Sequence, residues 1–142
     1  MNRMEVGLRL PIIPDVELIA AKAVEVVSRG LGMSDTQIES ATVATVEACL
    51  NAVEHGNRDG FEVRLGQASD EDGSWLVIEV EDHGEGFDPE AVPRSNPARV
   101  QGCTSKRGWG LTLIRELMDG VEVRSRPGLT IVRMRKRIGG EP

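Results

Sequence analysis

The chain has 142 residues, with 17 Lys and Arg against 23 Asp and Glu, two His, two Cys and 16 Gly. Its length can bury a core without staples, and 39% apolar with 28% charged residues is a globular balance rather than a disordered one. A net charge of −6 argues against nonspecific nucleic-acid binding, 3% aromatics make a poor base-stacking platform, and no apolar run nears the roughly 18 residues of a membrane helix.

Residues Met4 to Leu10 alternate, with Met4, Val6, Leu8 and Leu10 on one face and Glu5 and Arg9 on the other, which predicts a strand ended by Pro11 and Pro14. Asp15 to Arg29 shows helical spacing through Val16, Ile19, Ala20, Ala23 and Val27, closed by Gly30. Ser34 with Gln37 has the form of a capping box, so a long helix should run to Glu54 or His55, stopped by Gly56-Asn57. Two strands are expected near 61–68 and 75–81, joined by the turn-rich 69–74. A long Gly- and Pro-rich stretch, 84–108, precedes a helix at 110–118 and a last hairpin, 121–126 and 129–137, turning at Pro127-Gly128. Hairpins segregated from helices predict an α+β two-layer sandwich, its mixed, mostly antiparallel sheet covered on one face by helices.

Three groups of residues carry chemistry. On the long helix, at about 100° per residue, Thr42, Thr45, Val46, Cys49, Leu50 and Val53 form an arc that would pack on the sheet. Glu47, Asn51 and His55 form a polar stripe on the other side, flanked by Ala44, Ala48 and Ala52. The stripe is either a solvated face with i,i+4 pairs or a site that something approaches closely. On the third strand, Leu76, Ile78, Val80 and Asp82 share a face by the period of two. An inward carboxylate needs donors, and Gly84 and Gly86 directly after it let a ligand lie against the backbone; the plain alternative is an Asx turn. Third, Lys106-Arg107-Gly108-Trp109-Gly110-Leu111 precedes a helix, where exposed backbone N–H groups and two cations suit a phosphate.

Together these groups resemble the GHKL-type ATPase and kinase superfamily, or Bergerat fold. Glu47-x-x-x-Asn51-Ala52-x-x-His55 is similar to its N box, Asp82-x-Gly84-x-Gly86 to its first glycine box, Gly108-x-Gly110-Leu111 to its second, and Pro127-Gly128-Leu129-Thr130 to its final motif. The form Glu-Ala-x-x-Asn-Ala-x-x-His-Gly looks most like the anti-sigma factor serine/threonine kinases and their switch-kinase relatives. One departure stands out: 93–99 does not match the Phe-Thr-rich lid of that family.

The resemblance implies one ATP-binding domain over 1–142, with a flexible lid at about 84–107. It implies Glu47 as general base for an incoming hydroxyl, and Asn51 as ligand of Mg²⁺. Asp82 would accept the adenine amino group, with Thr130 helping through a shared water, and Gly84 and Gly86 would pass under the nucleotide. Lys106, Arg107, Gly108 and Gly110 would hold the phosphates, with His55, Phe87, Trp109 and Leu111 completing the nucleotide site. The implied function is an ATP-dependent serine/threonine protein kinase acting on a small anti-sigma-antagonist partner of the STAS type. A sigma factor and a second copy of the chain are further candidate partners. The alternative from another class is a nucleotide-gated binding module without kinase activity. The N-terminus has no signal pattern, and Cys49 and Cys103, far apart, fit a reducing cytosol, so no membrane, no direct nucleic acid and a cytoplasmic location are expected.

Overall fold

A computed structural model describes residues 2–86, 88 and 106–140, with 2–4 and 106–109 as backbone alone. In chain order the elements are β1 (Asn2–Leu10), α1 (Glu17–Gly30), α2 (Asp35–His55), β2 (Phe61–Asp70), β3 (Gly73–Asp82), α3 (Lys106–Leu117), β4 (Gly120–Arg126) and β5 (Leu129–Arg137). The strands form one sheet in the order β1-β2-β3-β5-β4. Every neighbouring pair is antiparallel, so the sheet has no parallel member among the described residues. The α+β two-layer architecture expected from the element order is the one observed.

The period-two pattern decides which face is covered. Phe61, Val63 and Leu65 of β2, Leu76, Ile78 and Val80 of β3, and Val132 and Met134 of β5 are all buried toward the helices. Each such side chain contributes on the order of 1.5–3 kcal/mol by leaving water. The capping box forms as expected: Gln37 N donates to Ser34 Oγ at 3.1 Å, and Ser34 N donates to Gln37 Oε1 at 2.9 Å. Gln37 also donates through Nε2 to the Gly139 carbonyl at 3.0 Å, which ties the start of α2 to the end of the described chain.

Several local expectations are corrected. On α1 the buried stripe is Ala20, Val24 and Ser28, while Ile19 stands exposed beside Leu18 and Val26. Ser28 is accommodated inside because its hydroxyl donates to the Val24 carbonyl one turn back. On α2 the buried side is Ala41, Ala44, Thr45, Ala48, Cys49 and Ala52; Thr42, Val46, Leu50 and Val53 are only half-buried. The alanines are therefore the packing seam and not flanks of an open groove: α2 packs against both α1 and α3, and small residues admit that close approach. The β2–β3 turn is shorter than expected, because the strands run on to Asp70 and Gly73, and Asp70 Oδ1 accepts the Asp72 N–H at 2.8 Å. The expected lid at 84–107 falls largely outside the described residues. Among those residues no helix is long and apolar enough to cross a membrane.

Candidate functional site

One transverse row of the sheet organises the site. Pairing across the strands aligns Leu10, Phe61, Asp82, Thr130 and Ser125, in that order, from edge to edge. The row is apolar on β1 and β2 and polar on β3, β5 and β4. Phe61, Asp82 and Thr130 are all buried. A row of this kind at strand ends, under the helix layer, gives a ligand an apolar wall on one side and hydrogen-bonding groups on the other.

Asp82 is 4% exposed and, among the described residues, accepts one hydrogen bond, from Gly84 N to Oδ1 at 3.0 Å. The Asx turn left open by the sequence is therefore present, and it uses one carboxylate oxygen. Burial holds the Asp82 carboxyl above its ordinary range, partly offset by the Gly84 N–H and by the nearby His55 and His83. The segment after it is clamped on both sides. Glu85 N donates to the His55 carbonyl at 3.2 Å, Asn57 Nδ2 to the His83 carbonyl at 3.2 Å, and Gly128 N to the Gly84 carbonyl at 2.8 Å. A side chain at Gly84 would overlap the His55 carbonyl and Gly56 Cα, and Gly86, at φ 84°, lies against the Arg126 carbonyl. The two glycines are required by close backbone approach.

The N-box residues meet α3. A Cβ at Gly110 would stand 3.1 Å from Glu47 Oε1 and 3.5 Å from both Asn51 Oδ1 and Nδ2. A glycine there keeps the Glu47 and Asn51 head groups against the first turns of α3. Asn51 is 5% exposed, and its Oδ1 is a buried acceptor with no hydrogen-bond donor among the described residues. Such a group is expensive unless something outside the chain satisfies it. The stripe is thus not a solvated face at Asn51.

Other expected residues are placed as follows. His55 occupies the last turn of α2, and its carbonyl accepts from Glu85 N in the segment that follows Asp82. Leu111 is buried in the hydrophobic core and fixes α3 to it. Thr130 Oγ1 lies 2.7 Å from Ser125 Oγ. Phe87 lies outside the described residues, as do the side chains of Lys106, Arg107 and Trp109. The helix expected from Gly110 begins earlier, at Lys106, so Gly108 lies inside α3 rather than ahead of it, together with Gly110. Burial pushes the Cys49 thiol up to about 12, which excludes a thiolate nucleophile, and the described residues contain no cluster of His, Cys, Asp and Glu suited to a metal. Ser125 belongs to this region but was not singled out in the sequence. Counting back from the Pro127-Gly128 turn places Ser125 opposite Thr130, so that signal was available.

The sequence profile of the histidine kinase-like ATPase domain family matches residues 14–136. The chain is 31% identical over 144 residues to the serine-protein kinase RsbW of Bacillus velezensis, covering 96% of this chain and 87% of the relative. It is also 31% identical over 142 residues to the serine-protein kinase RsbW of Oceanobacillus iheyensis, covering 96% and 88%. Among solved structures, the RsbU and RsbW domains of Rv1364c from Mycobacterium tuberculosis superpose with a TM-score of 0.69 at 18% identity, over 98% of this chain and 34% of that longer one. The SiaB–SiaC complex from Pseudomonas aeruginosa gives 0.56 at 15% identity, over 92% and 88%. These two structural likenesses bear on the fold.

Proposed function

The chain belongs to the histidine kinase-like ATPase domain family, and we propose that its substrate is a hydroxyl on a small folded regulatory protein of the anti-sigma-antagonist, STAS-type class. Its activity is that of an ATP-using serine/threonine-protein kinase. The observation that carries the site reading is Asn51 Oδ1, a buried acceptor without a donor among the described residues, which lies with Glu47 Oε1 against Gly110.

An amide oxygen and a carboxylate are hard donors, so this pair fits Mg²⁺, with Asn51 as its ligand. When bound, that ion neutralises phosphate charge. The chain's own residues do the rest. Asp82 accepts from the base, Thr130 lies beside it on the neighbouring strand, and Gly84 and Gly86 let the nucleotide approach the backbone. Glu47, one turn before Asn51, takes the proton of the attacking hydroxyl, and Lys106, Arg107, Gly108 and Gly110 hold the phosphates. Residues 84–107 act as the lid of a single domain.

For partners, exposed Leu18, Ile19 and Val26 on α1 lie beside β1, an edge of the sheet. An open strand edge next to apolar side chains suits a protein contact, and we assign it to a second copy or to a sigma factor. The test is transfer from radiolabelled ATP with purified protein, alone and with candidate STAS-type partners. Phosphoserine or phosphothreonine on the partner, with slow phosphate release in its absence, is the expected result. Fast multiple-turnover release of free phosphate without a partner would overturn the protein-hydroxyl reading.

A further inference from the structure

Ser125 is the polar end of the transverse row. Its Oγ lies 2.7 Å from Thr130 Oγ1, within one hydrogen bond. Gly86 also lies against it, where an added Cβ would sit 3.1 Å from Ser125 Oγ. The hydroxyl is therefore held between the glycine loop and Thr130, and Thr130 is the direct cross-strand partner of Asp82.

Each hydroxyl has one proton and only one of the two lies in the bond between them, so the direction of that bond decides what Thr130 has left to offer. If Thr130 donates to Ser125, it faces the site as an acceptor, like Asp82. Two acceptors side by side do not match a purine edge that presents a donor next to an acceptor. If Ser125 donates, the Thr130 proton is left for the site, and the row offers an acceptor at Asp82 and a donor at Thr130. That pattern is complementary to a 6-aminopurine, whose exocyclic amino group donates and whose adjacent ring nitrogen accepts.

We infer that Ser125 is a positioning residue for base selection: its hydroxyl donates to Thr130 Oγ1 and so aims the Thr130 proton toward the acceptor nitrogen of a 6-aminopurine. The inference rests on the reading of Asp82 and Thr130 as the base-recognition pair. A purely structural role, a cross-strand pair that holds the β4–β5 hairpin, would alter stability without altering which base is preferred.

The experiment compares Ser125→Ala and Ser125→Thr with three triphosphates. ATP has both the amino group and the ring acceptor, purine riboside triphosphate keeps only the ring acceptor, and inosine triphosphate has neither. Ser125→Ala should weaken ATP and purine riboside triphosphate by about 3- to 10-fold, the scale of one hydrogen bond, and leave inosine triphosphate unchanged. In turnover with a protein partner the loss should appear in KM for ATP rather than in kcat, and Ser125→Thr should restore it. Equal losses for all three triphosphates, or a lower melting temperature with all three affinities intact, would overturn the inference. Asp82→Asn, carried alongside, tests the reading beneath it. That variant should weaken ATP but not purine riboside triphosphate, so an unaffected ATP affinity there counts against Asp82, whereas a flat Ser125→Ala result counts against Ser125.

Discussion

On the outward face of the sheet, every side-chain nitrogen of Arg64 has a carboxylate: Nε to Glu79 at 3.1 Å, Nη1 to Glu62 at 3.0 Å and Nη2 to Glu81 at 2.7 Å. Arg9 extends the lattice to Glu62, Arg133 to Glu79 and His83 to Glu81. Trp75 is covered on this side by the guanidinium groups of Arg135 and Arg137, 4.3 and 4.6 Å from its ring centre, and not by a helix. On the helix side, Asp82 accepts one hydrogen bond and the Asn51 Oδ1 none among the described residues. The partly exposed Arg64 cluster is saturated, and these two desolvated groups are left short among the described residues. Folding alone would favour the reverse, because an unmade hydrogen bond is costly only where water is absent. The outward face pairs its polar groups with one another, whereas Asp82 and Asn51 keep acceptor capacity unused among the described residues.

The largest expected effect is at Glu47. Glu47→Gln preserves shape under Gly110 but removes the base, so transfer to a protein partner should fall about 10²–10⁴-fold, with nucleotide affinity nearly intact. Single-turnover kinetics against ATP calorimetry checks both halves. Wild-type transfer in the variant would remove Glu47 from the chemistry and leave it a mere neighbour of Asn51.

Asp82→Asn comes next and should act in opposite directions on function and stability. ATP affinity should fall by on the order of 1–3 kcal/mol, as an acceptor becomes in part a donor. The apoprotein should become more stable near neutral pH, since burial raises the Asp82 carboxyl above its ordinary value of 3.8 and the ionised form is disfavoured when folded. The stability that Asp82 contributes is therefore complete below about that ordinary value and is lost as pH rises through the folded one. Melting temperatures of the two proteins should diverge as pH rises from about 3.5 to 7 and converge again in acid. A variant less stable than wild type at neutral pH would mean that Asp82 holds the fold rather than waiting for a ligand.

Much of this division was legible in the sequence. The period of two placed Asp82 inward, and the i,i+4 spacing placed Glu47, Asn51 and His55 on one stripe. Periodicity could not tell which side of α2 would be covered, because alanines read as neutral filler until α1 and α3 are seen packed beside them. The same ambiguity misplaced Ile19, where Ser28, satisfied by its own helix, took a buried position that composition would give to an apolar residue. Gly110 read as part of a phosphate loop, yet its place in α3 against Glu47 and Asn51 depends on a helix–helix contact far apart in sequence.

The smallest expected effect is on the outward face, and it sharpens the contrast most directly. Glu62 and Glu81 are direct cross-strand partners, so Arg64 is what offsets their repulsion. Arg64→Met keeps the stem and removes the charge. Partly exposed pairs are individually weak, so the loss should be only about 1 kcal/mol. It should shrink further between about 0.05 M and 1 M salt, as the Debye length falls to roughly 3 Å. Urea unfolding at the two salt concentrations measures it, urea being uncharged. ATP affinity and phosphoryl transfer should not change, because the lattice points away from Asp82, Thr130 and Asn51. A loss of ATP binding in this variant would show that the two faces are coupled through the sheet, and the saturated side would then have to be counted as part of the site.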